Sequence, residues 1–390
     1  MIQKRIENLK EEFCKSYGSS DNIRVFNAPG RVNIIGEHTD YNGGLVLPVA
    51  IDKSILAVAR VREDRILNLK SMNFSMEVSA SLDDIRYRKE DDWANYPKGV
   101  AWVLEKEGLK LKGADIIFEG EIPIGSGLSS SAAIEVVSMI TLLKLSNKKL
   151  PLKKIPLLCR KAENEFVGVN CGIMDQFIVT FGKKNHALIL DCKTLDYKLV
   201  PFQSKGTILI VGNTKVKRGL ANSEYNKRVK ECAEGVKILK EYINREEIEF
   251  LSDITKEEFS RYRDKIPAPI DKRCEHVINE NERVRQAVDC LEKGDLENLG
   301  KLLNASHYSL RDLYEVSCRE LDVMVESSLK IKGVYGARMT GAGFGGCIIA
   351  LVEERAKEEF VKRVGRDYQR KLGIKPDFYT CQVGDGAKEI

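Results

Sequence analysis

The stretch PIGSGLSSSAA at residues 123–133 limits the folding of this chain more than any other, because it sets two glycines and three serines between an apolar strand-like run and a helix-like one. Pro123 and the glycines stop the strand read at residues 114–118, and the apolar spacing of residues 132–145 predicts a helix. Gly125 and Gly127 let backbone approach another group closely, and Ser129 or Ser130 is placed to cap the helix beginning near Ala132. A helix N-terminus with free N–H groups accepts an anion, so the loop reads either as a phosphate cradle or as a plain capped turn. Neither G-x-x-x-x-G-K-[ST] nor G-x-G-x-x-G is matched here. Three serines exceed what a cap needs, and the surplus hydroxyls suit phosphate or Mg²⁺.

The rest of the chain is consistent with a two-part α+β protein. Strand-like runs at residues 45–62 and helical spacing at 155–166 are followed by short β-branched runs near 186–214. Long charged helical patterns then occupy residues 221–303, after which GVYGARMTGAGFGGCIIALVEE reads as two strands joined by glycines. These shifts divide the chain into residues 1–205 and 206–390. The 390 residues are 43% hydrophobic and 31% charged, the balance of a water-soluble globular protein. A net charge of +5, from 63 basic and 58 acidic residues spread along the chain, is too mild for a nucleic-acid surface. Ten cysteines without a CxxC read as reduced thiols, and no apolar run approaches the ~20 residues of a membrane span. A cytoplasmic protein with no membrane or nucleic-acid partner is expected, a monomer or weak homodimer.

Two more stretches concentrate chemistry. APGRVNIIGEHTDYNGG gathers Arg31, Glu37, His38 and Asp40 on a glycine-rich turn; ionised groups so placed suit a polyhydroxylated ligand, or else they are a solvated loop. GAGFGG at residues 341–346 matches G-x-G-x-x-G literally, but the β-branched run CIIALV follows where a dinucleotide fingerprint must open a helix. Its glycines therefore serve close backbone approach, to a strand or to the ligand of the first loop.

In this order, GRVNIIGEHTDYNGGLVLPVAID, PIGSGLSSSAA, NCGIMDQF and MTGAGFGGC resemble the galactokinases, a branch of the GHMP family of small-molecule kinases. The resemblance implies an N-terminal mixed sheet with helices, a C-terminal α+β ferredoxin-like domain, and an active site in the cleft between them. It implies ATP-dependent phosphorylation of the C1 hydroxyl of galactose, with ATP as co-substrate and Mg²⁺ as cofactor. Glu37, His38, Thr39, Asp40, Gly172, Asp175 and Tyr225 would then bind the sugar, and Asp175 with Arg31 would carry the catalysis. Gly125, Ser126, Gly127, Leu128, Ser129, Ser130 and Ser131 would wrap the triphosphate, with Ser71 also at the nucleotide. Ser131 and Glu163 would hold Mg²⁺, although AENE around Glu163 also reads as the polar face of a helix.

Overall fold

In the segment Ile66–Ser71 every second residue, Leu67, Leu69 and Ser71, is buried, the period of a strand with one face on a core. The structure, a computed structural model, describes residues 2–19, 21–123, 127–202, 206–216 and 221–390, the side chains of 221–223 excepted. A first helix, α1 (Ile2–Tyr17), buries Ile6, Leu9 and Phe13, spaced three and four residues apart, as an amphipathic helix must. There follow β1 (Arg24–Asn33), β2 (Leu45–Val46), β3 (Pro48–Val61), β4 (Ile66–Ser71), β5 (Glu77–Ser81), α2 (Asn95–Lys106), β6 (Ala114–Gly120), α3 (Ser130–Leu145), α4 (Lys154–Lys161) and α5 (Met174–Phe181). Strands β7 (His186–Asp191), β8 (Tyr197–Pro201) and β9 (Thr207–Asn213) lead into α6 (Ala221–Ile243), α7 (Lys256–Tyr262), α8 (Ile270–Lys293), α9 (Leu296–Asp312) and α10 (Arg319–Ser328). The chain closes with β10 (Val334–Thr340), β11 (Cys347–Glu353), α11 (Lys357–Leu372), β12 (Asp377–Cys381) and β13 (Lys388–Glu389).

Among the described residues these strands form three sheets. The first has the order β13-β1-β3-β6-β4-β5 and is antiparallel except where β4 meets β6. The second, β10-β11-β9-β12, is antiparallel throughout, and with a helical block after β9 and α11 after β11 it has the strand order of a split βαβ fold. β2, β7 and β8 make the third.

The structure refines several readings of the sequence. The single strand expected over residues 45–62 breaks at Leu47, since β2 pairs with β7 while β3 pairs with β1. The helix expected over 155–166 ends at Lys161 and widens into a π-helical turn, Ala162–Val167, closed by left-handed Gly168. The expected division at 205/206 adjoins residues 203–205, which lie outside the described residues. Connections cross any such line: β13 returns to pair with β1, and one apolar core includes Ile116 and Val136 as well as Val211, Val284 and Ile349.

At Gly300 and Gly336, helix α9 packs on β10 backbone against backbone. A Cβ on Gly300 would overlap the Tyr335 carbonyl, and one on Gly336 would overlap the Gly300 backbone, so glycine is needed on both surfaces. Gly300→Ala should therefore lower the thermal midpoint, at an overpacking cost of about 1–3 kcal/mol. A calorimetric midpoint equal to that of the wild type would contradict this account of the helix–strand approach.

Candidate active site

A cavity of about 730 Å³ opens between the first sheet and the second, with Arg31, Glu37, Asp40 and Asp175 on one wall and Asn213, Lys215, Tyr225 and Gly341 on the other. Arg31 reaches it because β1 is irregular: the register with β3 shifts between Pro29 and Arg31, and the Arg31 N–H bonds the Leu128 carbonyl (3.1 Å) instead of the ladder. Its guanidinium then grips Asp175 in a bidentate pair, Nε to Oδ1 at 2.7 Å and Nη2 to Oδ2 at 2.6 Å, and donates to the Gly127 carbonyl at 2.6 Å. Asp175 sits in the first turn of α5, where the helix dipole favours a carboxylate.

The glycine–serine loop meets the same carboxylate. Ser129, the residue before α3, has left-handed φ of 60° and makes no side-chain cap; its hydroxyl donates to Asp175 Oδ2 instead. The capping role expected of Ser129 is thus replaced by a tertiary bond to a charged acceptor, which outweighs a local bond to a backbone N–H. Ser130 and Ser131 open α3 and line the cavity with Gly127, while Leu128 is buried and contributes through its carbonyl. Gly125 and Ser126 lie outside the described residues.

Glu37, His38 and Asp40 line the opposite end of the same wall. The Glu37 carboxylate is buried and takes 2.8 Å from Arg338 Nη2 and 3.3 Å from the Thr340 hydroxyl. His38 lies 2.9 Å from the Tyr41 hydroxyl through Nδ1; burial, seconded by nearby His276, lowers its pKa to about 3 and leaves it neutral. Burial raises Asp40 to about 6, with the charges of Asp175 and Glu37 adding to the rise and a backbone N–H bond opposing it. A Cβ on Gly172 would overlap the Asp40 carboxylate, so this glycine is what admits Asp40 to the pocket. Tyr225 packs its ring 5.1 Å from that of Tyr41. Thr39 differs from the expectation: fully buried, its hydroxyl lies 2.9 Å and 2.7 Å from the carbonyls of Gly36 and Leu45, and it does not line the cavity. Its side chain shapes the turn that carries its neighbours.

Behind Ser131 lies a buried acidic layer. Glu163 leaves the chain in the π-helical turn, and burial raises it to about 6 while bonds from Cys171, Ser131 and Gln176 pull it down. Gln176 Nε2 donates to Glu163 (2.7 Å) and to Glu135 (3.2 Å); burial and then the Glu163 charge push the Glu135 pKa well above the usual carboxylate range. No cluster of three or more His, Cys, Asp or Glu with metal-binding geometry occurs among the described residues.

Three family models match the chain: the galactokinase galactose-binding signature over residues 11–61, the GHMP kinases N terminal domain over 95–183, and the GHMP kinases C terminal over 287–370. The galactokinase of Clostridium tetani is 47% identical over 388 residues, 99% of this chain and 98% of that one. The galactokinase of Bacillus subtilis is 42% identical, covering 98% of this chain and 99% of that one. The chain belongs to the galactokinase family.

Its fold agrees. The crystal structure of Lactococcus lactis galactokinase complexed with galactose superposes with a TM-score of 0.94 at 40% identity, covering 99% of this chain and 100% of that one. Methanococcus jannaschii mevalonate kinase, at 20% identity and a TM-score of 0.67 over 94% of this chain and 99% of that one, shares the fold. The α+β, two-part GHMP-kinase architecture stands, and as a member of this family the chain is an ATP-using sugar kinase. No described helix is long and apolar enough to cross a membrane.

The structure adds what sequence motifs missed. A second cavity, about 280 Å³, shares Ser130 and Ser131 with the first and is lined by Ser71 with Phe74, Trp93, Tyr96 and Ile134. Ser71 thus faces a different space from the sugar-loop carboxylates. Nothing in the local sequence marks these aromatics, which come together from the turn after β4 (Phe74), the turn leading into α2 (Trp93) and the start of α2 (Tyr96). The glycine loop at 341–346 joins β10 to β11, with Gly341 and Ala342 facing the large cavity.

The raised pKa of Asp40 has a consequence for stability. Because the folded chain holds the Asp40 proton up to about pH 6 and the unfolded chain only to about 3.8, the folded state is penalised above pH 6, and the penalty fades as pH falls toward 3.8. Asp40→Asn should then melt above the wild type at pH 8, with the gap shrinking at pH 4.5. Thermal melts showing one constant gap at both pH values would refute the burial of an ionised Asp40.

Proposed function

We propose that this chain transfers the γ-phosphoryl group of ATP to the C1 hydroxyl of galactose, giving galactose 1-phosphate and ADP, the first phosphorylation in galactose breakdown. The observation that carries the reading is the Arg31–Asp175 pair, held between the N-terminus of α3 and the Glu37–Asp40 loop. Galactose is the sugar in the complex of the Lactococcus lactis relative, and the galactose-binding signature spans the same loop. Glu37, His38, Asp40 and Tyr225 offer charged and neutral polar groups to sugar hydroxyls in a buried setting. A site built on such paired contacts rejects an epimer by leaving its own polar groups unpaired.

In phosphoryl transfer the protein mainly positions the reactants and stabilises charge. Ser129, Ser130 and Ser131, with the first N–H groups of α3, lie where phosphate oxygens meet a positive helix end. The apolar cavity of Phe74, Trp93, Tyr96 and Ile134 suits the adenine ring; Trp93 Nε1 is buried there without a hydrogen-bond partner among the described residues. Asp175 orients the C1 hydroxyl and accepts its proton late in transfer, while Arg31 holds Asp175 in place and offsets developing phosphoryl charge.

The donor set beside the serines fits Mg²⁺. The Ser131 hydroxyl and Glu163 carboxylate are hard oxygen ligands in contact, and this ion characteristically takes one or two carboxylates plus substrate phosphates rather than an all-protein cage. Bound there, Mg²⁺ would neutralise phosphate charge. Gln176 bonds the Glu163 carboxylate beside Ser131.

A coupled assay should show ADP formation that requires galactose, with glucose, the C4 epimer, a far poorer substrate. In that assay Asp175→Asn should lose at least ~10²-fold in kcat, the lower end of general-base effects, while retaining galactose and nucleotide affinity. Near-normal turnover would remove Asp175 from the chemistry. Glu163→Ala should raise the Mg²⁺ concentration needed for half-maximal rate, and an unshifted Mg²⁺ titration would refute its role as ligand.

A further inference from the structure

The turn carrying Glu37 and His38 belongs to the N-terminal half, yet the groups that hold it come from the other half. Helix α8 presents His276 and Glu280, one turn apart and so on one face, with Asn281 beside them. Glu280 Oε1 accepts from the Gly36 N–H at 3.0 Å, the Glu37 N–H at 3.4 Å and the Ser306 hydroxyl at 2.7 Å, and Oε2 accepts from Arg283 at 2.6 Å. His276 Nε2 lies 3.1 Å from the Glu37 carbonyl, and Asn281 Oδ1 accepts from the Leu45 N–H at 2.8 Å. From β10, Arg338 donates to the carbonyls of Asn33 and Ile34, each at 2.7 Å, and to the Glu37 carboxylate at 2.8 Å.

Glu37 is thereby fixed at its N–H, its carbonyl and its carboxylate by buried groups that do not line the cavity. Glu280 and Arg338 are both fully buried, and they grip adjacent peptide groups with opposite charge: the carboxylate takes N–H groups, the guanidinium takes carbonyls. Burial alone would raise Glu280, but Arg283, His276, Arg338 and the Ser306 hydroxyl outweigh it and hold it near 2, so it is ionised at every working pH. A charged acceptor on two consecutive N–H groups is stronger than a neutral one and tolerates little displacement. No bond of this clamp reaches Ser129, Ser130, Ser131 or the aromatic cavity.

We infer that Glu280, with His276 and Arg338, sets the galactose affinity of the site by fixing the Gly36–Glu37 backbone, as positioning residues that leave nucleotide binding untouched. The inference rests on the cavity being a galactose site. Small displacements of a binding group from its productive geometry weaken recognition steeply, and here the binding group is the Glu37 carboxylate itself.

Calorimetric titration of the full chain with galactose, and separately with ATP, tests it. Glu280→Gln keeps the shape and removes the charge; its galactose Kd should rise about tenfold or more, as expected for weakening a charged hydrogen bond, with the ATP Kd within about twofold of wild type. Ser306→Ala, a milder change that keeps the carboxylate and its bonds to Gly36 and Glu37, should raise the galactose Kd by a smaller factor, about threefold, again without moving ATP. If Glu280→Gln does not fold, the Ser306→Ala result decides. An unchanged galactose Kd in the folded variant, or galactose and ATP affinities falling in parallel as in a general loosening, would overturn the inference while leaving the galactose reading intact. A wild-type chain without galactose affinity would overturn that reading, and this inference with it.

Discussion

The site depends on one ion pair. Arg31 and Asp175 stand 144 residues apart in sequence, and their bidentate contact joins the irregular strand β1 to the first turn of α5. The same guanidinium takes the Gly127 carbonyl and the same carboxylate takes the Ser129 hydroxyl, so the glycine–serine loop is tied to both partners at once. Truncating either side chain, unlike an isosteric change, would leave the other poorly solvated and the loop without its anchor, since even a part-buried pair costs more to break than to replace whole. The pair therefore does two things: it builds the junction of three segments, and it presents a carboxylate of fixed orientation to the cavity.

That junction carries an excess of negative charge. Glu37, Asp40 and Asp175 face one cavity, with Glu163 and Glu135 behind it. Arg31 and Arg338 compensate Asp175 and Glu37 directly, while Asp40, Glu163 and Glu135, with no guanidinium partner among the described residues, have raised pKa values. Such a site is held against its own electrostatics by the surrounding fold. Hydroxyl donors from a sugar beside Asp40, and a cation beside Glu163, would each relieve one of these uncompensated groups.

Much of this was legible in the sequence because the signals are local. Helix spacing in α1 and α3, the glycine break before α3, and the strand after GAGFGG follow from patterns a few residues long. Where sequence reading failed, a partner distant in the chain decided the outcome. Ser129 has the right type and place for a cap, but Asp175 takes its hydroxyl. Thr39 sits among sugar-binding candidates, but two carbonyls of its own turn occupy it. Residues 155–166 have helical spacing throughout, and only the structure shows the widened turn that turns Glu163 inward. For Glu280 and Arg338 no pattern existed to read: Glu280 is one charged residue in a charge-rich helix and Arg338 a lone charge in a glycine-rich run, and their meaning appears only when α8 and β10 pack on the Gly36 turn.

The two proposed substrate sides are consequently supported by different parts of the molecule. The proposed nucleotide side is lined from β4 and the turn after it, the start of α2, β6 and α3, all within the first sheet and its helices. The proposed sugar side takes Glu37, His38 and Asp40 from the turn after β1 but the support of that turn from α8, α9 and β10 of the other half. Since the apolar core also runs from one half into the other, a displacement of α8 relative to the first sheet would be felt at Glu37 before it reached Ser131. Arg31 is where the two supports meet, because it extends from the strand that leads into the sugar turn and bonds the loop that opens α3. The fold thereby offers a short route of hydrogen-bonded groups, Gly127, Arg31, Asp175 and Ser129, between the two proposed sides.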